Sequence, residues 1–397
     1  MVHYNQSWRS YLPRARDVEA KLVRLGVRHI RDGITSNPAI TAEFDRLAVR
    51  HKIRSLLILD VRQPSPENWR GRLDLNAIPD QLKIKKDHYR NSCEAIVGPN
   101  EYDVNHDSPV SEVNDREWTK TYRAFAQRLY ESAKADPVLR SIKILNGPMA
   151  RARNAAEVPG LDAYLDAGSF HPYPGGGPPS QGLADYNITK TREMVSGRPL
   201  WATETGYHNA IKKPTKPKEH NPVPESVSGI YAPRLIAEYL RQGITRTYFY
   251  ELLDGGEDKG DQEQNFGLLR SDFSEKPAYT SLRSAMTILN DKGSGSPQAL
   301  RYTISGNMTG VRQLLLAGRD GKNPLLLWIE KSIWDEVTGK PIMVPNQEII
   351  LRWASVCNSR IYIPSRMSTS LVRKVLKSKT VPLQIGPELT IIESEKG

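Results

Sequence analysis

The sequence predicts an α/β chain, a (β/α)8 barrel over residues 1–292 followed by a small all-β sandwich domain over residues 298–397. Two observations carry that reading. Eight short apolar runs alternate with segments of helical period between residues 2 and 290, the pattern of parallel strands buried on both faces and connected by crossover helices. After the glycine- and serine-rich residues 293–297 the period changes to short β-type runs separated by turns, as expected of a linker and a small antiparallel domain.

Taken in order, the first run (VHYN, residues 2–5) precedes a helix with Val18, Leu22 and Leu25 on one face, which stops at Gly26. The second strand, VRHIRDG, carries Arg31 at its end. Asn37 is placed to cap the next helix, with Pro38 in the first turn and Ile40, Phe44, Leu47 and Ala48 on one face. The third strand, SLLILDV, is apolar enough to be buried on both sides. A helical segment bearing Lys83, Lys85 and Lys86, read as a solvated face, leads to the fourth strand, which ends in Asn100 and Glu101.

A strongly amphipathic helix follows, with Trp118, Tyr122, Phe125 and Leu129 spaced for one face. The fifth strand is SIKILNG, and the sixth, DAGSFHPYP, delivers His171 and Tyr173 just before a run of glycines at 175–177. Strand seven, LWATE, ends in Glu204; strand eight, TRTYFYELLD, ends at Tyr250, Glu251 and Asp254. Pro233, in the helix before strand eight, is expected to kink or start that helix because it cannot donate to the backbone ladder. A last helix at 278–289 closes the barrel, giving the TIM-barrel architecture.

Composition bounds the function without deciding it. With 397 residues, 38% hydrophobic and 8% aromatic, the chain is an ordinary folded protein. It has no apolar run near the roughly 18 residues of a membrane span. Cys93 and Cys357 fall in different predicted domains and read as separate buried thiols rather than a disulfide or a metal site. A net charge of +11 fits an acidic partner or a generally basic surface, but no basic cluster is interleaved with stacking aromatics, so nucleic acid is not expected. No signal-peptide pattern opens the sequence, and no Schiff-base lysine or metal cluster stands at a strand end, so neither cofactor nor metal is expected.

The chemistry concentrates in two stretches, EAIVGPNEYD and PLWATETGYH, in which an apolar strand ends abruptly and presents one glutamate, Glu101 and Glu204. In a barrel of parallel strands such positions meet at the carboxyl-end mouth, and two carboxylates there suit acid/base or nucleophilic work on one bond.

With Asn100 and Glu101 after strand four, Glu204 in ATETG after strand seven, Arg31 on strand two and His171 and Tyr173 after strand six, the barrel resembles the retaining glycoside hydrolases of clan A. FGLL at 266–269 and KPAYTSL at 276–282 resemble the end of many such barrels, and the following β-domain resembles that of families 39, 5 and their relatives. The resemblance implies Glu101 as acid/base and Glu204 as nucleophile, with carboxyl groups about 5 to 5.5 Å apart. It implies that Arg31 keeps the nucleophile ionised and oriented; the alternative for Arg31 is an internal salt bridge to Asp32, Asp60 or Glu251. Asn100 is expected to donate to a sugar hydroxyl, Tyr173 to bond Glu204, and His171 to meet the sugar or the acid/base.

Further substrate contacts are expected from His3, Trp8, Asp60, Tyr250 and Glu251; many clan members place a tryptophan after strand eight, where this chain offers Tyr248, Phe249, Tyr250 and Glu251. The loop between Tyr207 and Glu225 carries Lys212, Lys213, Lys216, Lys218 and His220 near the mouth, a basic lid suited to acidic glycans or simply a solvated loop. Asn5, Asn187 and Asn307 open Asn-X-Ser/Thr triplets. The expectation is a secreted or extracellular, monomeric glycosidase acting on a β-linked polysaccharide or oligosaccharide, with acidic glycans among the candidates. The reading from another class is a carbohydrate-binding barrel without turnover.

Overall fold

The computed structural model describes residues 1–6, 10–63, 71–105, 117–211, 220–297, 300–366 and 371–396. The first part alternates helices and parallel strands: α1 (Ala15–Leu25), β1 (His29–Gly33), α2 (Pro38–His51), β2 (Arg54–Ile58), α3 (Ile78–His88), β3 (Cys93–Val97), α4 (Trp118–Ala135), β4 (Lys143–Leu145), β5 (Gly168–Phe170), α5 (Thr189–Met194), β6 (Leu200–Thr205), α6 (Glu225–Arg241), β7 (Arg246–Phe249) and α7 (Pro277–Ile288). Strands β1 to β4 form one parallel sheet in sequence order and β5 to β7 another.

The two sheets face each other. Leu56, Ala95, Val97, Leu145, Ala167, Trp201 and Tyr248 form one buried cluster drawn from both, which flat, separate sheets could not bring together. At one junction Leu145 and Ala167 make a parallel bridge. At the other, the Val2 amide donates to the Arg31 carbonyl at 3.1 Å and the Leu252 amide donates to the Met1 carbonyl at 3.1 Å. Residues 2–5 were expected to form a strand, and here the structure corrects the sequence. Beyond Val2 the Tyr4 amide donates to the Asp32 carboxylate at 2.8 Å, which turns the chain out of any ladder.

The helices form for the reasons their sequences give. The Asn37 side chain accepts from the Ala39 amide, with Pro38 in the first turn, and α1 closes on Gly26 at φ 80°. Their inner faces, including Val18, Leu22, Phe44, Leu47, Trp118, Tyr122, Phe125 and Leu129, are buried in one core. Fully burying one such phenylalanine or leucine contributes about 1.5–3 kcal/mol. One expectation fails. Lys85 is buried rather than solvated, on the inward face of α3 with Ile78 and Leu82. Pro233 neither starts nor ends α6, which runs eight residues past it to Arg241; the carbonyl its ring opposes belongs to Gly229, four residues earlier, where the bare Cα packs against Pro277.

The second part comprises β8 (Tyr302–Gly306), β9 (Val311–Leu315), β10 (Leu325–Ile329), β11 (Trp334–Asp335), β12 (Lys340–Pro341), β13 (Gln347–Tyr362), β14 (Leu371–Ile385) and β15 (Thr390–Lys396). The expected sandwich differs in connectivity. Six strands are hydrogen-bonded into one antiparallel sheet, because β13 spans 16 residues and pairs with β8 along its first part and β15 along its last, with β14 on the other side. Leu326 and Trp328 of β10 pack against Ala237 of α6 and Ala285 of α7, seating this sheet on the first part. Cys93 and Cys357 are both free and buried. Among the described residues no helix is long and apolar enough to cross a membrane.

Candidate active site

A cleft of about 1800 Å³ opens over the carboxyl ends of the parallel strands. Glu204, the next-to-last residue of β6, projects into its floor and is only 7% exposed. Next to it, Gly206 fits a tight approach: a Cβ there would lie 2.5 Å from the Tyr250 carbonyl oxygen, so the sequence after the glutamate admits no side chain.

Three neighbours meet Glu204 and a fourth residue braces one of them. Arg31, fully buried on β1, donates through one guanidinium nitrogen to its Oε1. Tyr173 donates its hydroxyl to Oε2 at 2.9 Å, and His171 Nδ1 stands 3.7 Å from the same oxygen. Asn100 braces the arginine by accepting from its second nitrogen at 2.7 Å. Burial alone would push the Glu204 carboxyl up, but the charges of His171 and Arg31 and the hydrogen bonds from Arg31 and Tyr173 outweigh it and hold the group well below the ordinary carboxylate range.

Glu101 is the more open partner, its side chain 31% exposed. It sits just beyond β3 in the left-handed region, φ 49°, a conformation that costs a non-glycine residue energy and persists only where surroundings impose it. Those surroundings are visible. Its amide donates to the Pro148 carbonyl at 3.1 Å, and Asp103, two residues on, accepts from the amides of Ala150 and Arg151 and from the Asn154 side chain. The Glu101 carboxylate meets His171 Nδ1 at 2.6 Å. One oxygen each from Glu101 and Glu204 and one nitrogen of His171 all lie within 4.8 Å of one another. Among the described residues this trio is also the group whose atoms could hold a metal ion, against the adjacent Arg31 cation.

His171 and Tyr173 are themselves held. The Pro172 carbonyl between them accepts from Thr205 Oγ1 at 2.9 Å and from Tyr239 Oη at 2.5 Å, so β6 and α6 set the two rings. His171 Nε2 is buried with no hydrogen-bond partner among the described residues, on a side chain that lines the cleft.

The other expected contacts divide. His3, Asp60 and Tyr250 line the cleft; Asp60 is clamped by Arg62 at 2.7 and 2.8 Å and accepts from the Asn100 amide. Glu251 does not line it. Its side chain is fully buried behind His3, 3.1 Å from the imidazole, because Tyr250 and not Glu251 takes the outward place at the end of β7. The alternative salt bridges for Arg31 to Asp32, Asp60 or Glu251 do not form among the described residues. Trp8 and the loop lysines Lys212, Lys213, Lys216 and Lys218 lie outside the described residues.

Sequence reasoning missed Glu263, Phe266, Arg151 and Arg153, all of which line the cleft. Phe266 packs edge-on against Tyr173 and Tyr250, and Glu263 accepts from the Tyr250 hydroxyl at 3.1 Å. Arg153 lies in a short 3₁₀ turn, Ala152–Glu157, Glu263 and Arg151 lie in irregular segments, and the FGLL stretch that opens with Phe266 marks the end of the barrel without marking a cleft residue.

No protein-family model matches the sequence and no curated protein matches it. Solved structures do. A family 39 enzyme from Xanthomonas axonopodis pv. citri superposes with a TM-score of 0.61 at 13% identity, covering 98% of this chain and 92% of that one. A family 39 glycoside hydrolase from Bacteroides cellulosilyticus WH2 gives 0.55 at 15%, covering 95% and 77%. A glucosidase from Croceicoccus marinus gives 0.56 at 9%, covering 96% and 92%. At these identities the likeness is one of fold, and the fold of this chain, over nearly its whole length, is the one these glycoside hydrolases share.

Proposed function

We propose that this chain is a retaining glycoside hydrolase that cleaves β-glycosidic bonds in a polysaccharide or oligosaccharide. One observation carries the reading: two glutamates from the ends of two different strands bring oxygens within 4.8 Å across one open cleft. That is the short spacing at which one carboxylate attacks the sugar directly, leaving no room for an intervening water. The fold shared with family 39 enzymes supports it. We read the two facing sheets, joined at Leu145–Ala167 and through Met1 and Val2, as a (β/α)8 barrel whose first strand is reduced to that short pairing, with residues 298–397 as its accessory domain.

The mechanism follows from the asymmetry of the pair. Glu204, kept ionised by Arg31 and oriented by Tyr173, attacks the anomeric carbon. Glu101 protonates the departing oxygen, and the glycosyl-enzyme ester forms at Glu204. Attack consumes the negative charge on Glu204, after which Glu101 takes a proton from water and water displaces the ester. His171 sits at the pivot: with its Nδ1–H donating to one Glu101 oxygen at 2.6 Å, the ring orients the carboxyl in both steps, and the other Glu101 oxygen carries the proton that passes to the departing group and is later taken from water. Asn100 has its side-chain oxygen engaged by Arg31, which leaves its amide nitrogen to offer to a sugar hydroxyl.

The cleft is lined by Asp32, Asp60, Asp185 and Glu263 as well as Arg62, Arg151 and Arg153, which supply both acceptors and donors for a hydroxyl-rich sugar. The test is reducing-end release from a panel of neutral and uronate-containing polysaccharides, with Glu204→Ala as the blank. Release that vanishes in the variant supports the reading, and the responding polymer names the sugar class. Binding of a glycan without release by the unaltered chain overturns it.

A further inference from the structure

The C-terminal sheet touches the cleft wall at a point that packing alone does not require. Glu330 follows β10, and its side chain is 1% exposed at the junction of the two parts. Its Oε2 accepts from Arg234 of α6 at 2.9 Å and from the Trp328 indole at 2.6 Å. Its Oε1 turns the other way and accepts from the backbone amide of Ser180 at 3.0 Å. Ser180 belongs to the loop that leaves β5, carries His171 and Tyr173, and supplies Pro174, Gln181 and Gly182 to the cleft.

That loop is folded on itself. The Pro174 carbonyl accepts from the Gly177 amide at 3.2 Å and from the Gln181 side chain at 2.8 Å, while Tyr207 bonds the Gly177 carbonyl at 3.0 Å. A second contact from the C-terminal part meets it: a Cβ on Gly176 would lie 2.9 Å from the Glu336 Cβ and 3.1 Å from the Asn221 Cβ. The segment from Glu330 to Glu336 is also tied to α6, where the Tyr231 hydroxyl accepts from the Ile333 amide at 3.0 Å.

We propose that the C-terminal sheet is a working part of the site: Glu330, supported by Glu336, holds residues 174–182 in place and thereby sets the cleft wall beside His171 and Tyr173. Glu330 is a positioning residue and touches no substrate. A buried carboxylate is costly to maintain unless both of its oxygens are satisfied, and those of Glu330 accept from Arg234, Trp328 and Ser180. A salt bridge to Arg234 alone would hold the two parts together without the turn toward Ser180. The functional half of this inference rests on the glycosidase reading; the structural half does not.

The experiment uses the full chain with Glu330→Ala, Glu330→Gln, Gly176→Ala and the double variant Gly176→Ala/Glu336→Gly. Amide hydrogen exchange is measured over residues 174–182 and over β3 as an internal reference. Kinetics are measured on whichever polymer the unaltered chain cleaves. In Glu330→Ala, protection is expected to fall across 174–182 and to persist in β3. The value of kcat/KM is expected to drop roughly 10- to 100-fold, the scale on which a misplaced positioning contact acts. Glu330→Gln keeps an acceptor for Ser180 and should retain more of both.

If Glu330→Ala does not fold, the Gly176 pair decides. Gly176→Ala should loosen the loop and lower kcat/KM, and Glu336→Gly, which removes the nearest clashing carbon, should restore both in part. Unchanged exchange over 174–182, or lost protection with unchanged kcat/KM, overturns the proposal. Absence of turnover in the unaltered chain would count against the glycosidase reading instead, and the exchange results alone would then decide whether the brace holds the loop.

Discussion

Replacing Arg31 with methionine keeps an unbranched buried side chain but removes the cation from Glu204. Arg31 is fully buried and Glu204 only 7% exposed, so the remaining carboxylate has little water to turn to. Removing one partner of such a pair costs about 3–5 kcal/mol, because the other charge is left uncompensated. The Tyr173 hydroxyl bond at 2.9 Å survives the change, which places the expected loss nearer the lower figure. Glu204→Gln on top of Arg31→Met removes the orphaned charge, so the double variant should recover stability, with a coupling energy of about 2–3 kcal/mol.

The pH dependence fixes the sign. The folded-state pKa of Glu204 is lowered from 4.5 to about 2. Its pairing therefore stabilises the fold above the ordinary glutamate range, and the contribution is lost as pH falls through that window. The deficit of Arg31→Met should be largest at neutral pH and shrink as pH falls toward about 2, where the carboxyl is protonated with or without its cation. Urea unfolding of the wild type, both single variants and the double, at neutral pH and near pH 4, reads the whole cycle. A coupling energy within about 0.5 kcal/mol of zero at neutral pH, the range of independent sites, would refute the claim that Arg31 holds Glu204 ionised in a dry site.

Other outcomes are equally specific. Glu101→Gln should slow cleavage by roughly 10²- to 10⁴-fold, the usual worth of a positioned proton donor, and hurt substrates with poor leaving groups most; equal losses for good and poor leaving groups would remove Glu101 from the acid role. Tyr173→Phe deletes a hydrogen bond to a charged oxygen and should lower chemical denaturation stability by about 1.5–3 kcal/mol without disturbing the far-ultraviolet spectrum. Asp32 has its folded pKa raised to about 6, first by burial and against the pull of His3 and backbone amides; its contribution is present below the ordinary aspartate value and lost as pH rises through about 6, so Asp32→Asn should flatten the stability profile between pH 4 and 6. Gly206→Ala forces a Cβ to 2.5 Å from the Tyr250 carbonyl and should lower the Tm by several degrees or more, about what a loss of 1–3 kcal/mol produces.

Much of this architecture is legible in the sequence because its signals are local. An apolar run that stops at a polar turn fixes where a strand ends, so Glu101, Glu204, His171 and Tyr173 can be placed at one mouth from residue order alone. Arg31 is legible for the same reason, although its partner is chosen by the structure. What fails depends on distant groups. Residues 2–5 lose their strand because Asp32, on β1, captures the Tyr4 amide. Glu251 reads like a cleft residue in sequence, yet the turn out of β7 sends Tyr250 to the cleft and Glu251 to His3. Glu263 and Phe266 come from an irregular segment whose place is set by what it packs on, the Tyr250 hydroxyl and the Tyr173 ring. The Glu330 contact with Ser180 joins residues 150 positions apart, and no periodicity records it.

In the proposed double displacement, Glu204 becomes covalently attached to the sugar. The most direct measurement is intact-mass and peptide mass spectrometry of the chain after exposure to a panel of 2-deoxy-2-fluoro-β-glycosides with activated leaving groups, which slow the second step more than the first. A single added sugar located on Glu204, absent in Glu204→Ala and released on incubation with an acceptor sugar, is the predicted result. Turnover of the parent glycosides to products of inverted anomeric configuration, or a sugar attached to any other residue, would contradict it.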